Sequence, residues 1–414
     1  MKKQLLFFPL LLSALIISNG NAFSSQSREK DPFITAKVMP LAYDALNGEP
    51  KFSSQFQFDY LNRGTVLDSY RGDGVTVAVI DSGINPSHVD FFNGVNTNIL
   101  STSAYIQETG SYYSNIVTSK VSTHGLLILK DENGHGTNVA GTIGALVNGI
   151  GTAGLSPNVN LLILKTNYYF TEIDAAIKYA ADNGADIINM SIGAYEDSFT
   201  SPYSGKAITG ISGASTYFQS SIDYAFNKGV TIVAAAGNDK TTYSSYPGAN
   251  ANVISVGALT RKSSTTIAGY SNLGLNNVDI VAPGSVYVTD IGSSESYVET
   301  QGTSFASPLV ASAIALYKQK NPLVTPAIID EKIKSTAFDL GASGPDANFG
   351  YGRLDLSSFM NDVPVTGVSL SPSSLNLAIG ETAYLTANII PSNATNQDRI
   401  FISNDDNIAT VDED

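Results

Sequence analysis

Residues 160–193 read NLLILKTNYYFTEIDAAIKYAADNGADIINMSIG, and their periodicity decides the architecture. NLLILK (160–165) is an unbroken apolar run of strand length, and ADIINMSIG (185–193) carries another. Strands without polar alternation are those buried on both faces. Between them Ile173, Ala176, Ile177 and Ala180 recur at helical spacing, with Thr171 read as N-cap, Asp174 three residues on and Gly184 as the stop. Strand, helix, strand in this order is a crossover between parallel neighbours. Working outward, VTVAVID (75–81) is a further buried strand, and SSIDYAFNKG (220–229) leading into VTIVAAAG (230–237) repeats the helix and strand. The expected class is α/β, a mostly parallel sheet between helical layers. In such sheets functional groups gather at the carboxyl ends of the strands. Asp81, Ser191 and Asn238 stand at or just after the first, third and fourth of these ends.

The chain has 414 residues, 43% hydrophobic, with no cysteine and a formal charge of −14. Without cysteine there are no disulfides, thiolate metal sites or cysteine nucleophiles. The acidic balance speaks against nucleic acid and anionic membrane as partners. The first 22 residues, MKKQLLFFPLLLSALIISNGNA, have a basic start, an apolar run and small Gly20 and Ala22 at cleavage spacing. They are read as a secretory signal cut after Ala22. The competing membrane anchor needs about 20 apolar residues, and Asn19 and Asn21 interrupt the run. A secreted protein with no membrane contact after cleavage is expected, followed over 23–54 by a short propeptide or N-terminal extension.

From Asp362 onward the helical period stops. Segments such as GVSLSP and TAYLTANI alternate between turn residues, and eight acidic residues face one arginine. Residues 362–414 are expected to be an all-β sandwich module, truncated because it is half the roughly 100 residues of a complete immunoglobulin-like domain. A fragment, or a chain ending in an incomplete module, are the two readings.

A serine hydroxyl needs a base to become a nucleophile, and the base needs a carboxylate to fix its tautomer. AVIDSGIN carries Asp81, NGHGTNVAG carries His135, and QGTSFASPLVASAIALY carries Ser304. Ser304 opens a long apolar helix whose dipole favours developing negative charge. Gly302 permits close approach, and Pro308 is placed in the first helical turn. Asn238, in AAAGND, can donate its side-chain amide to an oxyanion. Singly, an Asp-Ser-Gly is an ordinary turn and a lone histidine is often a cap or core residue. Asp, His and Ser together in that order, with the Asn donor between the last two, point to acyl-transfer chemistry. His88 and His124 lack such context and are read as surface or loop residues.

These motifs, with INMSIGA, SYPGANANVISVGAL and VAPG, occur in the order found in the subtilisin-type serine endopeptidases, or subtilases, and over roughly residues 55–358 the chain resembles that family. The resemblance implies a subtilisin-like three-layer catalytic domain at 55–361. It implies Asp81 as orienter, His135 as general base then acid, Ser304 as nucleophile, and Asn238 with the Ser304 amide as oxyanion donors. Ser191, Ile192 and Gly193 match the strand that pairs with an extended peptide. Ala234, Ala235, Gly237 and Ser245 match walls of the pocket before the scissile bond, small enough for a large hydrophobic or aromatic side chain, with Asp239 at a rim that admits a basic one. ALVNGIGTAGLSPN resembles the family's calcium loop, with Asp90, Leu146, Asn148, Ile150 and Thr152 as oxygen ligands. The tail resembles the bacterial group-2 immunoglobulin-like domain, whose modules serve as spacers or bind surfaces and carbohydrate.

Three departures stand out. The stretch before the catalytic resemblance is too short for the family's usual prodomain. Asn167, Tyr168 and Tyr169 replace substrate-edge glycines, and the span between Asp81 and His135 is longer than in typical members. The last two features favour narrow specificity. A monomeric secreted endopeptidase acting on polypeptides is the first reading, either broadly degradative or a dedicated maturation enzyme. The alternative is an adhesion protein using the fold as scaffold.

Overall fold

The computed structural model describes residues 48–92, 97–111, 116–122, 125–362 and 365–391, with 394, 401, 403 and 408–411. The segment read as a secretory signal, most of 23–54 and His124 lie outside the described residues. The body is built on β1 (Thr76–Asp81), β2 (Ala104–Ser111), β3 (Ile116–Ser122), α1 (His135–Gly144), β4 (Asn160–Lys165), α2 (Phe170–Asp182) and β5 (Ile187–Met190). It continues with α3 (Gln219–Asn227), β6 (Thr231–Ala235), β7 (Val253–Leu259), β8 (Ile280–Pro283), α4 (Thr303–Lys320) and α5 (Pro326–Ser335).

These strands form one sheet in the order β8-β7-β6-β5-β1-β4-β2-β3. Seven neighbours run parallel, and β3 closes one edge antiparallel to β2. Within β1, Val77 and Val79 face a core shared with Val139 of α1 and Leu309 of α4, while Ala78 and Ile80 face one shared with Ile173 and Ile177 of α2 and Ile222 of α3. Each buried isoleucine or valine contributes about 1.5–3 kcal/mol, so the unbroken apolar strands are explained by two cores. The α/β reading is thus the observed architecture, and among the described residues no helix is long and apolar enough to cross a membrane.

Two local expectations are corrected. Thr171 is not the cap of α2: Tyr169 holds that position, with φ −72° and ψ 144° and no side-chain cap bond. Phe170 enters the helix because its ring packs on Tyr217 and Phe218. Pro308 does not lie in the first turn but is the sixth residue of α4, inside the helix. It has no N–H for the Ser304 carbonyl four residues back, and Ser191 Oγ supplies the donor instead, at 2.8 Å.

By itself, the tail shows an antiparallel pair, Gly367–Ser371 with Thr386–Ile390, as the alternating segments imply.

Candidate active site

Asp81 closes β1 and is almost fully buried. His135 begins α1 and presents Nδ1 to it, 2.8 Å from Oδ1 and 3.0 Å from Oδ2. The two meet because α1 abuts the turn after β1 without room for side chains. A Cβ on Gly136 would stand 2.3 Å from the Gly83 oxygen, so both glycines of the motifs are steric requirements. Burial opposes an imidazolium, but the Asp81 charge and hydrogen bond, with Asp131 behind them, outweigh it, and the His135 pKa lies above its ordinary value.

Asp131 is a support that motif reading missed. It accepts from Ser82 Oγ, from the amides of Asn133, Gly134 and Thr137, and from Thr137 Oγ1. A carboxylate satisfying the first amides of α1 also suits the helix dipole. Its place shortly before GHGT, in KDENGHGT, was the available signal.

Ser304 is the second residue of α4 and only 9% exposed. Its hydroxyl donates to Ser191 O at 3.2 Å. The His135 ring lies beside the next residue, with its centroid 5.7 Å from that of Phe305. Asn238 is oriented by Thr303, whose N and Oγ1 donate to its Oδ1 at 2.8 and 3.0 Å. The bonds leave Nδ2 free of Thr303, and the amide as a whole lies beside Gly302, its two end atoms 3.6 and 3.7 Å from where a Cβ there would stand. Ser191 is the first residue past β5 and is tied to Asn189, which in turn accepts from Ser307 Oγ at 2.7 Å. The carboxyl ends of β1, β5 and β6 thus converge on the amino ends of α1 and α4.

Of the other cleft residues, Ile192 and Gly193 continue from Ser191, and Gly193 faces Ser245: a Cβ on it would meet Ser245 Oγ at 2.3 Å. Ala234 and Ala235 are buried at the end of β6, and Gly237 follows at φ 104°. Asn272, which sequence reasoning did not single out, holds this turn by donating to Ala236 O and accepting from the amides of Asp239 and Thr241. The Asp239 carboxylate accepts the Tyr195 hydroxyl at 2.8 Å.

The Asp90 cluster lies elsewhere. Asp90 Oδ2 accepts from Thr152 N and Oγ1, and Oδ1 accepts from Tyr297 OH. Asn148 Oδ1 accepts from Ile150 N. Glu49 reaches the same loop, accepting from the amides of Gly149 and Gly151. Among the described residues no donor takes the backbone oxygens of Leu146, Ile150 or Thr152. His88 belongs here: it lies in a loop, as expected, but it is buried where a surface place was the other reading. It is wholly buried, its Nδ1 accepting from Asp90 N, its Nε2 on Ser296 O and its ring edge-on to Tyr297.

A family model described as the subtilase family matches residues 72–352, and one described as the bacterial Ig-like domain (group 2) matches 364–414. Subtilisin DY of Bacillus licheniformis is 34% identical over 294 residues, which is 69% of this chain and 89% of the relative. Subtilisin Savinase of Lederbergia lenta is 34% identical over 277 residues, 66% of this chain and 86% of the relative. Among solved structures, a protease of Pseudoalteromonas arctica superposes with a TM-score of 0.60 at 27% identity, covering 76% of this chain and 98% of its own.

Proposed function

The chain belongs to the subtilase family of serine proteases and carries a group-2 bacterial Ig-like domain, and from that premise we propose how its own residues cut a polypeptide. Ser304 Oγ attacks the scissile carbonyl carbon while His135 Nε2 takes its proton. Asp81, on Nδ1, holds the tautomer and stabilises the imidazolium. Asn238 Nδ2 and the Ser304 amide, which has no intrahelical partner at that end of α4, receive the oxyanion. The amine leaves with the proton from His135, and water then releases the acyl group by the same steps. The observation that carries this reading is the Asp81–His135 bond of 2.8 Å beside a helix N-terminus bearing Ser304. The Ser304 hydroxyl is bonded to Ser191 O and must leave it to reach the imidazole; catalytic hydrogen bonds often form fully only when substrate is bound.

The substrate enters extended along Ser191, Ile192 and Gly193. Its residue before the cut fills the pocket walled by Ala234, Ala235, Gly237 and Ser245, which favours a large hydrophobic or aromatic side chain. The tie from Tyr195 to Asp239 weakens the case for a basic one. Tyr168 and Tyr169, 38% and 48% exposed, stand at the edge and favour narrow over broad cleavage. Digestion of an unbiased peptide library separates the two. The protein is read as a secreted monomer cut after Ala22, its body at 55–361, and its tail at 362–414 as the part that meets a cell surface or carbohydrate.

A calcium ion fits the Asp90 loop. The unclaimed oxygens of Leu146, Ile150 and Thr152, with the side-chain oxygens of Asn148 and Asp90, form an all-oxygen set of the kind a hard cation takes. Bound there it would pin the loop after α1 without entering the reaction. Chelation is expected to lower the melting temperature, and a melting temperature indifferent to chelator removes the site.

The test of the main reading is labelling with a fluorophosphonate probe followed by mass mapping. Label on Ser304 that is lost in His135→Ala supports the assembled triad. A folded, calcium-loaded protein that takes no label overturns it.

A further inference from the structure

Among the described residues four non-glycines have positive φ: Asn62, Tyr168, Lys240 and Asn252. Asparagine enters the left-handed region readily, whereas a bulky tyrosine at φ 66° is an outlier that its surroundings must hold in place. What Tyr168 gains there is a bond to the catalytic carboxylate. Its hydroxyl donates to Asp81 Oδ1 at 2.9 Å, on the same oxygen that receives Ser82 N at 2.7 Å and His135 Nδ1 at 2.8 Å. Burial and the neighbouring Asp81 charge push the phenol far above its ordinary pKa, so it remains a donor throughout the working range.

The segment carrying Tyr168 is clamped from two sides. Asn167 donates from N and Nδ2 to the buried Glu172 of α2, at 2.5 and 3.1 Å. Tyr105 OH of β2 donates to Asn167 Oδ1 at 2.9 Å, and the Glu108 amide of β2 donates to Glu172 Oε1 at 2.6 Å. β2 therefore braces the segment that holds Tyr168 against Asp81. The lengthened span between Asp81 and His135 and the aromatic edge, two separate departures in sequence, are one assembly in space.

We propose that Tyr168 is a positioning residue for the catalytic pair: held through Asn167 and Glu172 against β2, its hydroxyl shares the Asp81 charge and so tempers how strongly that carboxylate favours protonated His135. This rests on the reading of Asp81 and His135 as orienter and base. The titratable and charged groups around the imidazole are Asp81 on β1, Asp131 ahead of α1 and Tyr168. Asp290 comes within 3.6 Å of a Cβ built on Gly134, and Lys165 is committed to Lys130 O. α4 contributes only the uncharged Phe305 ring. Asp131, Asp290 and Lys165 are unaffected when the phenol is removed. Without that donor Asp81 turns its full charge on His135, the imidazolium is favoured, and the base requires a higher pH to become neutral.

The experiment is a proton NMR titration of the full chain in a Ser304→Ala background, with and without Tyr168→Phe. Three histidines keep the imidazole signals separable. The pKa of His135 is expected above 6.5 in the parent and about half to one pH unit higher in the variant, the size of a hydrogen bond to a charged acceptor. In the active enzyme the acidic limb of kcat/KM moves up by the same amount. A merely structural tyrosine would alter the melting temperature and leave both curves in place, and superimposable titrations overturn the proposal. Tyr105→Phe is expected to shift His135 the same way by a smaller amount, and its failure to do so removes β2 from the assembly. If the Ser304→Ala titrations come out as expected but the protein with Ser304 in place never cleaves peptide or takes the phosphonate, the catalytic reading falls while the Tyr168 effect stands.

Discussion

Asp81 and Asp90 head two clusters built from the same residue types and put to opposite uses. Each carboxylate accepts a tyrosine hydroxyl, Tyr168 at 2.9 Å and Tyr297 at 3.0 Å, and each lies beside a histidine. At Asp81 the imidazole Nδ1 faces the carboxylate, so the proton sits on Nδ1 and Nε2 keeps a lone pair. At Asp90 the backbone amide donates to His88 Nδ1, so the proton sits on Nε2 and goes to Ser296 O. The two rings are opposite tautomers. The His135 side chain keeps 27% of its surface in solvent, whereas His88 keeps none. On the proposal that His135 is the base, what separates it from the strut His88 is which ring nitrogen is spoken for and whether the other one is open to solvent.

That contrast can be broken most sharply at the histidines themselves. Replacing His135 with alanine is expected to lower kcat on the order of 10⁶-fold, a magnitude known from the equivalent change in this same family, with the melting temperature little altered. Steady-state rates and a thermal melt on one preparation decide it. Asn238→Ala comes next, with a loss of about 10²–10³ in kcat and little change in KM, again a size established within the family. A raised KM at constant kcat would mean that Asn238 binds substrate instead. His88→Leu is the smallest change and sharpens the other half. It strands the Asp90 amide and Ser296 O, costing about 1–3 kcal/mol in a denaturant titration, while kcat of the folded fraction holds. A fall in kcat at full folding would merge the clusters.

The fold was legible because its strands are apolar on both faces and its functional turns are marked by glycine. Asp81, His135, Asn238 and Ser304 stand at such turns, and the structure brings their segments together. Features that depend on partners far along the chain were not readable. Nothing local marks Tyr168 as reaching Asp81 across 87 positions or Tyr105 as reaching Asn167 across 62. Thr171 looked like a cap because the ring contacts of Phe170 leave no periodic trace. His88 looked exposed because its flanking Asn85, Pro86 and Ser87 are turn formers, although the ring is enclosed by Phe91 and Tyr297.

Pro308 has a consequence for anyone who would tune this enzyme by substitution. The first turn of α4 is braced from the side, through Ser191 Oγ on the Ser304 carbonyl and Ser307 Oγ on Asn189, where an ordinary helix would be braced along its own axis. Rate-altering changes should therefore be sought on β5 and its exit, at Asn189 and Ser191, sooner than further along the helix. Pro308 and Ser191 form a pair in which one substitution sets the worth of the other. A residue with an N–H at 308 would compete for that carbonyl, and the serine would be left seeking a new acceptor at the edge proposed to receive the substrate.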